Sequence, residues 1–199
     1  MKTAIFSSLL ILLATLMIAV FPNEDEARIY EDTLRLHILA NSDSEDDQNL
    51  KLEVRDRLLD KYSAALSSAE GKEAATESIS LLLTDIERDA ESWVREAGYS
   101  YDVTASLGEE WYDTREYGEY ALPKGRYTSL RIIIGEGEGR NWWCVMYPPL
   151  CTEIATERAP SDDALCGYSD GEIKIITGGS YTVKFKILEM LSSAFSKNS

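Results

Sequence analysis

Hydrophobic and polar positions divide the chain into an apolar N-terminal run and a patterned remainder. The run, Ala4 to Phe21, contains no charged residue; Lys2 precedes it and acidic residues follow it. Its length and charge asymmetry are typical of a segment that directs export and keeps its own N-terminus inside. No clear small-residue cleavage triplet follows, so residues 1–23 are predicted to be either a cleaved signal peptide or a retained signal anchor. Residues 24–199 are then expected to form a single extracytoplasmic domain.

The remainder begins with a strand and two helices. Apolar residues alternate with Arg35 and His37 over 33–40, and this period of two predicts a strand. Apolar residues three and four positions apart predict amphipathic helices over 45–67 and 72–97. Two such helices in succession are expected to share a sheet or to pack on each other.

After residue 100 the period returns to two, and it becomes helical again near the C-terminus. The predicted elements are strands over 101–107, 126–134 and 141–147, a hairpin turn at 135–139, a long loop over 152–180 and a helix over 181–195. The whole order predicts an α+β fold: an N-terminal strand, two amphipathic helices, an antiparallel β-meander and a C-terminal helix. The helices are expected on one face of the sheet.

The chain is strongly acidic, with 35 Asp and Glu residues against 20 Lys and Arg and a formal net charge of −15. No basic cluster occurs in the sequence, whereas binding to nucleic acid needs Lys and Arg grouped to meet the phosphates. Nucleic acid is therefore not expected as a partner. The excess of acid either keeps the domain soluble or attracts a basic partner.

Three cysteines, Cys144, Cys151 and Cys166, would be exported with the domain. In an oxidising compartment they allow one bridge and one remaining thiol. Cys144 and Cys151 flank Pro148-Pro149, which makes them the favoured disulfide pair. The only histidine is His37 and no C-x-x-C motif occurs, so neither a metal site nor another cofactor is predicted.

A catalytic set is hard to find in this sequence. His37, Asn41 and Cys144 make up the residue types of a cysteine hydrolase, whose thiolate needs an imidazole beside it. Cys144 has a predicted disulfide partner and His37 lies in the middle of a strand, so the favoured interpretation is that the protein is not an enzyme. A membrane-anchored hydrolase that uses Cys144 and His37 stays open as an alternative.

Trp142 and Trp143 are adjacent in a predicted strand, so their side chains are expected on opposite faces of the sheet. One indole can then fill the core while the other faces water, a helix or a partner. An exposed indole beside a turn stiffened by a disulfide would be a rigid anchor for a partner. Coverage of both indoles by the domain itself is the alternative.

Two segments resemble the signatures of the stage II sporulation protein R family. The first is Arg35-Leu36-His37-Ile38-Leu39-Ala40-Asn41-Ser42-Asp43-Ser44, continued by Asp47-Gln48, Leu50-Lys51 and Val54-Arg55-Asp56. The second is Leu122-Pro123 with Gly125, then Gly135-Glu136-Gly137 with Gly139, then Asn141-Trp142-Trp143-Cys144-Val145 and Pro148-Pro149-Leu150-Cys151. Together they cover roughly residues 30–151, in the order of the family.

The resemblance implies a signal made in the forespore of an endospore-forming bacterium and secreted into the space between the forespore and mother-cell membranes. There it would activate a membrane-embedded aspartic protease of the mother-cell membrane, which removes the pro-sequence of the sigma factor sigma-E. The leading hypothesis is accordingly a secreted, non-enzymatic protease activator. A structural envelope domain is a further alternative beside the hydrolase.

The residues expected to bind the protease lie in the two signatures. They are His37, Asn41, Ser42, Asp43, Lys51, Arg55, Trp142 and Trp143, with Cys144 and Cys151 stiffening the loop of the tryptophans. Helix capping is the alternative role for the Asn-Ser-Asp turn. If the N-terminal segment is not cleaved, residues 4–21 would also contact the membrane.

Overall fold

The computed structural model describes residues 6–8, 10, 24–117, 120–150, 165 and 167–177. In chain order its elements are α1 (Glu24–Asp32), β1 (Leu34–Leu39), α2 (Glu45–Ser67), α3 (Lys72–Glu96), β2 (Val103–Tyr112), β3 (Arg115–Tyr117), β4 (Tyr120–Leu122), β5 (Gly125–Ile134), β6 (Asn141–Tyr147) and α4 (Asp170–Thr177). These elements confirm the predicted α+β class and the predicted sequence of strand, two helices and further strands.

Several predictions concern residues outside the described ranges. Most of the apolar N-terminal run, Cys151, Cys166 and the predicted helix at 181–195 belong to them. Within the part of the chain that the structure describes, no helix combines the length and the apolar character needed to cross a membrane.

The central sheet is mixed, and the predicted antiparallel meander is wrong. Its strand order is β2-β5-β1-β6, with β1 parallel to β5 and antiparallel to β6, while β2 is antiparallel to β5. The N-terminal strand is thus inserted between two strands that follow it in sequence by about 90 and 110 residues. All six residues of β1 are buried, as expected for a strand with neighbours on both edges and covered faces.

The connection from β5 to β6 is not a hairpin turn, because β1 lies between the two strands. Residues 135–140 instead pass over the end of β1. This path brings the Gly-Glu-Gly-Glu-Gly segment against the turn that leads from β1 into α2. The site described below is built on this contact.

One face of the sheet, here the helix face, packs against α2 and α3. Its apolar side chains come from alternate positions of the strands and from the 3–4 spacing of the helices, and they include Leu36, Ile38, Ile132, Val54 and Ile86. The predicted N-cap is confirmed: the Ser44 hydroxyl accepts a hydrogen bond of 3.2 Å from the Asp47 amide.

The opposite face, here the second face, is also covered over part of its area. The two short helices α1 and α4 and the β3–β4 hairpin form a second apolar cluster on it, which includes Ile29, Leu122, Tyr127, Val145 and Ile176. The expectation that helices cover one face only is therefore wrong. α4 lies inside the stretch predicted as a long loop, and neither short helix has enough apolar repeats for sequence periodicity to reveal it.

Candidate functional site

The turn between β1 and α2 and the connection between β5 and β6 are hydrogen-bonded to each other, and we call this unit (residues 40–44 and 135–140) the loop clamp. Backbone amides of the second loop donate to the first: Gly139 to the Ala40 carbonyl at 2.9 Å and Glu138 to the Asn41 carbonyl at 3.2 Å. The Asn41 Oδ1 atom accepts from the Glu136 amide at 3.1 Å. The clamp thus joins segments that are about 95 residues apart in the sequence.

Two glycines of the second loop allow this close approach. Gly135 has φ of 60°, a conformation that residues with a Cβ atom rarely adopt, and an added Cβ would overlap the Asn41 amide. A Cβ added at Gly139 would overlap the carbonyl oxygen of Ser42. The glycines of the Gly-Glu-Gly-Glu-Gly segment are therefore required by packing between loops rather than by a hairpin.

A polar network links the first loop to the start of α2. Ser42 and Asn41 donate to Asp47 Oδ2 at 2.5 and 2.9 Å. Burial opposes the charge on Asp47, but the hydrogen bonds from Ser42 and Asn41 outweigh it and lower the pKa of this carboxyl. Asp47 is therefore a fixed anion that anchors the turn to the helix.

Lys51 fastens α2 to the second loop of the clamp. It is buried, and its Nζ atom donates to Gln48 Oε1 at 2.6 Å and to the Arg140 carbonyl at 2.7 Å. Burial, together with the nearby Arg140, lowers the pKa of the ammonium group. The Arg140 amide in turn donates to Asp43 Oδ1 at 2.7 Å, so this loop is held from both sides.

Trp142 and Arg55 form the predicted surface next to the clamp. The Arg55 guanidinium carbon lies 5.0 Å from the centroid of the Trp142 ring, within the range of a cation–π contact. Trp142 is half-buried at the edge of the helix face. The Asp43 and Arg140 side chains are 67% and 72% exposed on the clamp itself.

Trp143 and His37 lie on the second face. Their ring centroids are 5.3 Å apart, and the guanidinium carbon of Arg115 lies 3.4 Å from the centroid of the Trp143 ring. His37 Nδ1 is 2.8 Å from Glu110 Oε1, and its Nε2 is 2.9 Å from Asn141 Oδ1. The two tryptophans therefore face opposite sides, and each is partly covered by an arginine.

Cys144 is a free thiol, fully buried in the helix face. The structure thus does not contain the predicted Cys144–Cys151 bridge, and Cys151 itself lies outside the described residues. The Cys144 side chain packs in the apolar cluster of the helix face, next to α2 and α3.

The same geometry bears on the hydrolase alternative. Cys144 pairs with Leu36 in the sheet and shares the helix face with it, whereas the His37 ring lies on the second face with Glu110. A thiol and an imidazole on opposite faces cannot exchange a proton, so they cannot act as nucleophile and base. Among the described residues, no group of three or more His, Cys, Asp or Glu side chains could hold a metal ion.

The structure brings some of the eight predicted site residues together and separates others. Asn41, Ser42, Asp43 and Lys51 belong to one network, Arg55 and Trp142 lie beside it, and His37 and Trp143 are on the other side of the sheet. Sequence reasoning missed Glu110, Asn141, Asp47, Gln48 and Arg140 as functional partners. Asp47, Gln48 and Asn141 are part of the signature segments and Arg140 directly precedes Asn141, whereas nothing local marks Glu110 as the partner of His37.

The sequence model of the family described as stage II sporulation protein R matches residues 30–157, well over half of the chain. The stage II sporulation protein R of Bacillus subtilis (strain 168) is 34% identical over 123 residues, which are 62% of this chain and 55% of the relative. The chain thus spans about half the length of the curated relative that it matches. No solved structure matches the chain. The loop clamp and both tryptophans fall within the matched residues, and the chain belongs to the stage II sporulation protein R family.

Proposed function

We propose that the protein is a secreted, non-enzymatic signal that activates a membrane-embedded aspartic protease of the mother-cell membrane and so triggers processing of pro-sigma-E during sporulation. It would leave the forespore by means of residues 1–23 and act in the space between the two membranes. Family membership supports the proposal, and one observation of the fold carries it further. The two signature segments meet in a single rigid unit, the loop clamp, which presents a defined surface and contains no catalytic set.

The contact surface is proposed to run from the exposed Asp43–Arg140 pair to Arg55 and Trp142. The Arg140 Nε atom lies 3.6 Å from Asp43 Oδ1, and both side chains are accessible to a partner. Asn41, Ser42 and Lys51 act through the clamp, which they hold in shape, rather than by touching the partner. His37 and Trp143 would support the same strand from the other face.

Activation requires that this surface bind one state of the protease more tightly than another. A ligand shifts a conformational equilibrium only by its differential affinity for the two states. A rigid clamp favours such discrimination, because little conformational entropy is lost when it binds. The partner state that fits the surface, such as an active dimer, would then be populated at the expense of the inactive state.

The test is co-expression of the full chain with the protease and its precursor substrate in a host that does not sporulate, with the processed fraction measured by immunoblot. Trp142→Ala is expected to reduce processing at least tenfold, since aromatic and arginine residues dominate interface energetics. Trp111→Ala is the matched control, because Trp111 is 60% exposed and pairs with Arg126 at the end of β2 opposite to the clamp.

Two outcomes would contradict the proposal. Equal processing with and without the chain would support a structural envelope domain instead. Equal loss of processing with Trp142→Ala and Trp111→Ala, at equal protein levels, would contradict the proposed contact surface.

A further inference from the structure

The strand β2 forms one edge of the central sheet, and part of its free side is open. β5 pairs with one side of β2, and no other strand in the described part of the chain pairs with the opposite side. Ser106, Gly108 and Glu109 are exposed, and a Cβ placed at Gly108 would have no neighbour within 4 Å. An open edge presents backbone donors and acceptors with which another extended chain can pair.

Backbone groups of alternate residues in β2 point to this free side. The Asp102 carbonyl accepts from the Gly135 amide at 2.9 Å, so the even-numbered residues face the β5 side. The Ala105 amide instead donates to Glu87 Oε2 of α3 at 2.8 Å. By the same alternation, the amides and carbonyls of Leu107 and Glu109 point away from β5. Glu87 thus occupies the edge at Ala105 and leaves it open at the next two outward residues.

A groove lies beside this open edge, between α3 and the helix face of the sheet. It has a volume of about 400 Å³, and the strands contribute Leu107 and Thr128 to its lining. The helix contributes residues that recur on one side of α3: Glu73, Thr76, Glu77 and Ser80. Glu87, two turns further along, continues the same side and reaches the free side of β2. The groove is therefore placed to receive side chains of a chain that pairs with β2.

The groove and the adjoining edge carry more acid than base. The carboxylates are those of Glu73, Glu77, Glu87 and Glu109. The basic residues Lys72 and Arg126 lie beside them, and Arg126 is 4.0 Å from Glu109. Both members of this pair are about 70% exposed, and such an exposed pair contributes little, so Glu109 can bind a second cation. The charge thus favours a partner segment that carries Lys or Arg.

From these observations we infer that the open edge of β2 and its groove bind an extended segment of a partner protein, in which an apolar residue has Lys or Arg two positions away. The segment adds a strand to the sheet, and its backbone bonds to Leu107 and Glu109. Side chains two positions apart lie on the same face of a strand. The apolar residue therefore enters the groove while the basic residue contacts Glu109. This inference does not rest on protease activation.

The experiment uses the peptide acetyl-Thr-Lys-Thr-Leu-Thr-Lys-Thr-amide, whose leucine and lysines share one face in either chain direction. It is titrated into the full chain, labelled with ¹⁵N and kept in a neutral detergent, and amide shifts and hydrogen exchange are measured by NMR. We expect saturable binding and exchange of the Leu107 and Glu109 amides that is slower by about tenfold or more. The Gly108 amide faces β5 and should keep its exchange rate.

Altered peptides separate the backbone contribution from the side-chain contribution. N-methylation of the leucine removes a donor that faces β2 in the paired segment, whereas N-methylation of the adjacent threonine affects an amide that faces away. The first change should weaken binding by about tenfold or more, and the second should leave it nearly unchanged. Replacing the leucine with alanine, or both lysines with glutamate, should also weaken binding. Equal binding of the two methylated peptides, or of the lysine and glutamate peptides, would overturn the inference.

Variants of the protein complete the test. Glu109→Lys should weaken binding of the lysine peptide by about tenfold or more, and Glu109→Gln should weaken it less. Glu116→Lys, at an exposed glutamate of β3, is the matched control and should bind like the unsubstituted protein. Unchanged binding to a folded Glu109→Lys protein would overturn the inference, as would absence of saturation. A free chain that is dimeric, with its Leu107 and Glu109 amides already protected, would assign the edge to a second copy and overturn it too.

Discussion

Both faces of β1 are buried, yet they are built from opposite chemistry. On the helix face, β1 contributes Leu36 and Ile38, which pack on α2 and α3. On the second face, the same strand contributes Arg35 and His37. Apolar side chains need only a complementary shape, whereas each buried polar group needs a specific partner.

Arg35 shows how the second face meets this requirement. Its guanidinium carbon lies 4.1 and 5.0 Å from the ring centroids of Tyr112 and Tyr127, and Nη2 donates to the Tyr117 hydroxyl. Two of its nitrogens, Nε and Nη1, have no hydrogen-bond partner. The helix face thus relies on the packing of apolar side chains, while the second face holds its polar residues in place by aromatic and hydrogen-bonding contacts.

The largest expected effect is on the helix face. Leu36→Ala would leave a cavity beneath α2 and α3 and is expected to lower the free energy of unfolding by about 2–5 kcal/mol. Urea denaturation, monitored by circular dichroism, measures this change in the free energy of unfolding. Leu81→Ala, at a leucine that is 80% exposed on α3, is the control and should change stability by no more than about 0.5 kcal/mol. Similar losses for both variants would contradict the description of this core.

The second largest effect is expected at the loop clamp, which lies at the end of β1. Gly139→Ala forces a Cβ against the Ser42 carbonyl and should lower the free energy of unfolding by roughly 1–3 kcal/mol. Gly108→Ala is the matched control, because a Cβ has open space there and alanine loses less conformational freedom than glycine. Thermal unfolding of both variants tests this prediction. If the two loops pack as closely as the structure shows, the Tm falls in Gly139→Ala and not in Gly108→Ala.

Arg35 sharpens the contrast between the faces. Arg35→Met keeps an apolar stem of similar length and removes a buried charge with unsatisfied donors, so stability should change by about 1 kcal/mol or less, or increase. Arg35→Ala leaves a cavity among the tyrosines and should cost about 2–4 kcal/mol. If denaturation curves showed Met to be as harmful as Ala, the guanidinium charge would be essential to this face.

The smallest effect is a pH dependence at the edge of the second face. Burial, and then the Glu172 carboxylate of α4, raise the pKa of Asp32 in α1 to about 6. Unfolded Asp titrates near pH 4, roughly, so the folded protein binds an additional proton between these values. The stabilisation is complete below about pH 4 and is lost as the pH rises through about 6. The fall in Tm from about pH 4.5 to 7 should therefore be smaller in Asp32→Asn than in the unsubstituted protein, whereas an equal fall would exclude Asp32 as the source.

Local sequence patterns predicted those parts of the fold that local interactions determine. The bounds of α2, α3 and β6 followed from periodicity and from the Ser44 cap, because these features act within a few residues. The place of β1 in the middle of the sheet did not follow, since strand order depends on contacts between distant segments. The alternation of Arg35 and His37 with apolar residues predicted the strand, but it did not show that both polar side chains are buried.

The candidate site also has residues that the sequence predicted and contacts that it did not. The signatures pointed to the residues of the clamp and to Trp142 and Trp143, and the expectation of opposite tryptophan faces agrees with their clusters. The pairing of His37 with Glu110 joins β1 to β2 and could not be inferred from either segment alone. The Cys144–Cys151 bridge was predicted from proximity in sequence; in the structure Cys144 is a free, buried thiol, and Cys151 lies outside the described residues.

The central position of β1 has a consequence for how the polypeptide acquires its structure during synthesis. Its two neighbours, β5 and β6, are made last among the strands of the sheet, so the first strand emerges long before either neighbour. Contacts of such high sequence separation slow folding. A chain shortened before Asn141 would leave an apolar strand without one of its edges covered, and such an edge is a template for aggregation. The protein is therefore expected to gain its native state in one late step, when the segment that carries the tryptophans arrives.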